Sequence, residues 1–278
     1  MAQRFQAPRK LVELAVEQLK KERVVHPHAS FNDRAEHGLR KEVAYRDRDF
    51  LYRLARTKEV EYIDEALQWL KRFDIVSSNA AYDKNAFENY RKEIKRIFHG
   101  SWTSFTPVME RLVYMLTSVK RPRRLLELGC FWGNTLAWFA GPCVGSEKQF
   151  DADVIYGVDW NKAMILQARK NFAQLPNSDK VTLIADDARN VIEQLQGPFD
   201  MVYLDANDPD KVPGLYLILL KQIYDQLPRG AWVLAHDIFD YEQADDLIDY
   251  VEWVRDKNHF TESLALDVDW CGIELSIK

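Results

Sequence analysis

The chain has 278 residues, 47% hydrophobic and 29% charged, with a formal net charge of −5. That supplies a sizeable core, and the mild acidity speaks against a general nucleic-acid binder, which carries a basic excess. No stretch approaches the roughly 20 apolar residues that span a bilayer.

The start, Met1-Ala2-Gln3-Arg4-Phe5, leads into charged amphipathic sequence and not into an apolar signal core. The three cysteines, Cys130, Cys143 and Cys271, are scattered without metal-type spacing. A cytoplasmic protein with reduced, buried thiols is expected.

Up to about residue 120 the periodicity is helical. Leu11, Ala15 and Leu19 share one helix face, as do Ile63, Ala66, Leu67 and Leu70, and then Tyr90, Ile94 and Ile97. Loop-like pieces such as His26-Pro27-His28 separate these patterns, and no strand is expected before Leu125. Lys120, Arg121, Arg123 and Arg124 read as a solvated turn leading into a strand.

Beyond that turn, short apolar runs alternate with helical patterns. Strands are expected at 124–128, 154–158, 181–184, 201–204, 232–235, 261–267 and 271–277, with helices at 134–140, 162–172, 188–195 and 215–226. The alternation implies an α/β, Rossmann-like, mostly parallel sheet, and the closely spaced last two strands imply a C-terminal antiparallel hairpin.

The first strand of this region runs into Glu127-Leu128-Gly129-Cys130-Phe131-Trp132-Gly133. Gly129 suits a tight turn and Gly133 a close approach of ligand and helix. Asp159 ends the second strand, where an acid accepts from both hydroxyls of an adenosine ribose. Asp187 follows the third and is placed to accept from an adenine amino group. A helix N-cap is the competing reading for each acid.

This pattern resembles the class I S-adenosylmethionine (SAM)-dependent methyltransferases, and within them the small-molecule O-methyltransferases of the catechol and caffeoyl-CoA type. Their turn reads Glu-x-Gly-x-Phe-x-Gly, with Phe131 in the middle position, and their sheet also ends in a hairpin. The resemblance runs from Ser101 to Lys278, so a helical N-terminal region, 1–100, precedes a SAM-binding catalytic domain, 101–278. It implies SAM as cosubstrate, held by Glu127, Gly129, Phe131, Gly133, Asp159, Trp160, Asp187 and Asp205. Trp102 and Trp132 are expected at the acceptor pocket, because aromatic faces attract the sulfonium cation.

Relatives of this type often hold a divalent cation with two aspartates and an asparagine. Asp205 and Asp237 fall on the aspartate positions, Ile238 stands where the asparagine would be, and Lys211 lies too late, beyond Pro209, to match the family's lysine. Three readings remain open. Asp205 and Asp237 hold a metal with help from neighbours; Asp205 and His236, with Asp237 beside them, form a metal-free acid–base site; or Asp205 only shapes the pocket and contacts the ligand's amino group. The expectation is that no divalent metal is needed.

The leading functional expectation is methyl transfer from SAM to a small polar molecule, with no nucleic acid or membrane partner. The alternative is a SAM cyclase on the same fold, in which the methionyl amine attacks its own γ-carbon. That reaction yields methylthioadenosine and azetidine-2-carboxylate. A dinucleotide-dependent oxidoreductase fits less well, because Phe131 replaces the second glycine of that fingerprint. The N-terminal helices would serve as a lid or as a homodimer interface.

Overall fold

The apolar runs after residue 120 become one sheet in the computed structural model, which describes residues 4–6, 54–98, 105–208, 210, 214–239, 247–269 and 271–278. The elements in chain order are β1 (Arg4–Gln6), α1 (Arg56–Arg72), α2 (Lys84–Ile97), α3 (Pro107–Lys120), β2 (Arg124–Leu128) and α4 (Asn134–Ala140). There follow β3 (Val154–Asp159), α5 (Lys162–Phe172), β4 (Val181–Ala185), α6 (Ala188–Val191), β5 (Met201–Leu204) and α7 (Leu215–Ile223). The chain closes with β6 (Trp232–His236), α8 (Ile248–Arg255), β7 (Glu262–Asp267) and β8 (Ile273–Ile277).

The eight strands take the order β1-β7-β8-β6-β5-β2-β3-β4. All pairings are parallel except β6 with β8 and β7 with β8, so the expected C-terminal hairpin is present. The expected strands match within a residue or two. The segments 188–195 and 215–226 each begin as an α-helix and tighten into a 3-10 turn.

One expectation is corrected. A strand does precede Leu125: β1 pairs in parallel with β7, Arg4 opposite Ala265. Three residues are too few to display alternation, so only the pairing reveals them. The Leu11–Leu19 helix, the His26-Pro27-His28 loop, Trp102, Pro209 and Lys211 lie outside the described residues.

Helices cover both faces. On one, α1 to α5 share a core with the sheet, and the apolar stripe Ile63, Ala66, Leu67 and Leu70 of α1 is buried in it. On the other, α7 and α8 pack over Leu126, Val202 and Val233. α3 is buried from Val108 to Ser118, which explains its nearly continuous apolar sequence. It starts cleanly, with Thr106 as N-cap accepting from Met109 N at 3.3 Å and Pro107 in the first turn.

A buried ionic cluster ties α1 and α2 to α3. Glu59 Oε1 lies 2.5 Å from Arg111 Nε and 2.8 Å from Arg91 Nη2, and Arg91 Nε lies 3.1 Å from Glu110 Oε2. Lys95 and Glu88 complete it through Glu110 and Arg111. Burial pushes the Glu110 carboxyl up to about 7 against the pull of Lys95.

The basic turn is only partly solvated: Arg121 and Arg123 are exposed, but Lys120 and Arg124 are half-buried and reach distant parts of the chain. Lys120 donates to Gly230 O at 2.7 Å, Arg124 donates to Gln196 O at 2.8 Å, and Arg123 pairs with Asp153 at 2.9 Å. The three cysteines are buried.

Candidate active site

β2 lies between β3 and β5, so the turn after Leu128 opens where the strand order reverses. Open α/β sheets bind ligands beyond the strand ends at that point. Gly129 has φ 95°, and a Cβ there would sit 2.1 Å from the carbonyl oxygen of Asp205. Only glycine lets this turn pack against the end of β5. At Gly133, φ 86°, a Cβ would meet the Phe172 ring at 2.9 Å, so the start of α4 packs tightly on α5.

β3 holds the turn in place. The N–H groups of Gly129 and Cys130 donate to Val158 O at 2.8 and 3.1 Å, and Phe131 N–H donates to Asp159 Oδ2 at 2.8 Å. Asp159 Oδ1 accepts from Asn161 N at 2.8 Å. The cap of α5 is Asn161, so the N-cap reading of Asp159 does not describe this structure. Each Asp159 oxygen keeps a lone pair for a ligand hydroxyl. Burial raises the carboxyl's pKa, opposed by its two backbone donors.

Phe131 and Trp160, 44% and 47% exposed, present large apolar faces at this edge. Trp132 is half-buried. Glu127, by contrast, is fully buried on β2, with neither oxygen hydrogen-bonded among the described residues. Burial, then the charges of Asp205 and Asp159, drive its pKa far above the usual carboxylate range.

Asp187 does cap a helix, accepting from Arg189 N at 2.9 Å, and its carboxylate is clasped by the Arg189 side chain at 2.5 to 3.1 Å. The same guanidinium reaches Asp210 at 2.9 Å, linking the ends of β4 and β5. The Arg189 hydrogen bond holds the Asp187 pKa below its ordinary value.

The ends of β5 and β6 bring Asp205, His236 and Asp237 together. His236 Nδ1 lies 3.5 Å from Asp205 Oδ1 and 3.2 Å from Asp237 Oδ1. Burial opposes charge on His236, but Asp237 and Asp205 outweigh it and raise its pKa to about 10. Burial raises Asp205 to about 6 despite the imidazole beside it. The two carboxylates therefore favour the charged form of His236 over the neutral one. Asp237 adopts φ 59°, a left-handed conformation unusual outside glycine.

The donor set does not suit a dedicated hard divalent ion. Both aspartates face a charged imidazole, and Ile238 is buried in the core. Among the described residues, the one set of three acid, thiol or imidazole groups whose donor atoms all lie within 4.8 Å is His236, Asp237 and Cys271.

Two residues escaped the sequence reading. Asp269 accepts from Thr106 Oγ1 at 2.8 Å and from Cys271 N and Gly272 N at 3.1 Å each, which closes the β7–β8 turn onto the start of α3. Thr106-Pro107 was readable as a helix start, and Asp269 as the opening of an Asx turn. Their contact spans 163 positions of sequence and left no local signal.

Residues 126–238 match the family described as a methyltransferase domain. The O-methyltransferase ankF of Aspergillus thermomutatus is 27% identical over 143 residues, 50% of this chain and 56% of that protein. The O-methyltransferase hkm8 of Aspergillus hancockii is 31% identical over 32% of this chain and 34% of that protein. The chain thus spans about half the length of the first of these relatives and a third of the second. Among solved structures, the O-methyltransferase TomG of Streptomyces achromogenes, in complex with SAM, superposes with a TM-score of 0.52. That pair is 19% identical, with 72% of this chain and 92% of TomG covered, a likeness of fold. From Leu126 to Ile238 the chain thus matches a methyltransferase domain, and its sheet has the fold of the SAM-bound TomG structure.

Proposed function

We propose that the protein transfers a methyl group from SAM to a hydroxyl of a small polar molecule. The observation that carries this reading is the turn at Gly129–Gly133, braced by Asp159 at the switch point of the sheet. Bound there, SAM supplies an electrophilic methyl group on a sulfonium. Asp159 accepts from the ribose, Phe131 and Trp160 cover the apolar faces of the ligand, and Asp187 lies toward the adenine. Asp205, an acid with a raised pKa that is still ionised at neutral pH, accepts the proton of the attacking hydroxyl. His236 holds Asp205 and Asp237 in place as a fixed cation. Positioning and exclusion of water account for the rest of the rate.

The relatives named above are O-methyltransferases, which supports a hydroxyl acceptor. No described helix is long and apolar enough to cross a membrane, and the buried cysteines suit the reducing cytoplasm. Pairing of two copies through the helical N-terminal region is part of the same reading and is checked by sedimentation.

The test is incubation with SAM and a panel of small hydroxylated aromatics, with and without chelator, followed by mass spectrometry. S-adenosylhomocysteine formed together with a methylated acceptor, chelator notwithstanding, is the expected result. The control with SAM alone judges the cyclase alternative: methylthioadenosine and azetidine-2-carboxylate appearing there would replace methyl transfer with cyclisation.

A further inference from the structure

His236 is nearly buried, 9% exposed, although it lies at the open edge of the sheet. What covers it is Phe105, whose ring meets the imidazole edge-on at 5.2 Å and Tyr203 at 6.0 Å. The residues that this ring touches each carry a buried polar atom without a hydrogen-bond partner among the described residues, His236 Nε2 and Tyr203 Oη. Orphaned polar atoms are costly in a core, so the placement of Phe105 bears on whether water reaches the cluster.

Phe105 immediately precedes the N-cap of α3. The cap residue, Thr106, uses its hydroxyl twice: it accepts from Met109 N and donates to Asp269 Oδ2 at 2.8 Å. Asp269 is 3% exposed, and its other oxygen accepts the two amides of the β7–β8 turn. One carboxylate therefore fastens the cover from the helical side to the hairpin that borders β6.

We propose that Asp269 is a positioning residue of this site: through Thr106 it holds Phe105 over His236, and so keeps the Asp205–His236–Asp237 cluster dry and in register. Its consequence for turnover rests on the methyl-transfer reading; its consequence for His236 does not. The charged groups facing His236 are Asp205 from the end of β5, Asp237 from the end of β6 and Asp269 from the β7–β8 turn. Removing the last opens the cover and takes away one of three negative neighbours, and both changes act on the imidazole.

The experiment titrates His236 by NMR of its Cε1–H in the full chain, for the wild type and for Asp269→Asn, Thr106→Val and Thr106→Ser. Heteronuclear spectra verify that each variant is folded. Asp269→Asn should lower the His236 midpoint by about one pH unit. Thr106→Val should speed solvent exchange at the imidazole several-fold, and Thr106→Ser, which keeps the hydroxyl, should behave as wild type. In the methyl-transfer assay, Asp269→Asn should lower kcat about tenfold with KM for SAM changed less than threefold. Wild-type titration and exchange in both Asp269→Asn and Thr106→Val would overturn the proposal. If Asp269→Asn does not fold, Thr106→Val against Thr106→Ser decides alone. A wild type that shows no methyl transfer, with the titration results as expected, would refute the activity and leave the positioning role standing.

Discussion

Two buried ionic clusters use charge in opposite ways. Between α1, α2 and α3, Glu59 and Glu110 are matched by Arg91, Arg111 and Lys95, so acids and bases alternate and neutralise one another. At the strand ends, one imidazole serves Asp205 and Asp237 with Asp269 close by, and His236 Nε2 has no hydrogen-bond partner among the described residues. The first arrangement is a fastening: it specifies how α1 and α2 sit on α3, and each charge faces an opposite one, although Arg91 Nε and Glu110 Oε2, 3.1 Å apart, form no hydrogen bond. The second leaves acidic and hydrogen-bonding capacity unspent, which is what a site that handles a ligand or a proton requires.

The sharpest way to break the comparison is Arg111→Ala. It would remove one of the two buried guanidiniums that face Glu59, and loss of one partner from a buried pair costs about 3–5 kcal/mol. Urea unfolding should show that loss. A variant of wild-type stability would mean that the helical cluster is no fastening.

Asp205→Asn tests the other cluster. Turnover should fall roughly 100-fold, the lower range for a general base, while calorimetry shows SAM affinity within about threefold of wild type. Unchanged kcat would make Asp205 structural. Asp159→Ala removes the acceptor of Phe131 N–H along with the proposed ribose contact, and SAM affinity should drop about tenfold or more. Equal affinity would remove that assignment.

The smallest effect is the dependence on pH. His236 has its folded pKa raised, from 6.5 to about 10. Its stabilising contribution is complete below about pH 6.5 and disappears as pH rises through 10. The stability gap between wild type and His236→Gln should therefore narrow between pH 7 and 10. A gap that widens over that range would reverse the assigned charge.

The sheet was readable from sequence to within a residue or two because its strands are buried runs bounded by turn residues. Val154-Ile155-Tyr156-Gly157-Val158-Asp159 is one such run, and Met201-Val202-Tyr203-Leu204 another. The glycine turn was readable for a steric reason, since the contact with Asp205 admits no side chain at Gly129. Asp205 and Asp237 could be named in advance because they fall on the two aspartate positions of the O-methyltransferases that the sequence resembles, and His236 because it stands beside Asp237 at the end of a strand. Their charge states could not. An imidazole with an ordinary pKa near 6.5 becomes a lasting cation only because β5 and β6 set two carboxylates against it. β1 and the Thr106–Asp269 bond were invisible for a related reason: each depends on a distant part of the chain, and neither imposes a period on its own neighbourhood.

The clasp of Arg189 on Asp187 and Asp210 reaches beyond local geometry. By bridging Asp187 after β4 and Asp210 after β5, it ties the positions of those two residues to each other. A ligand that prised Asp187 away would also have to release Asp210, so the two would respond as a single unit. Whatever shifts Asp187 at the end of β4 would then be felt at the end of β5, across the two intervening strands and next to Asp205.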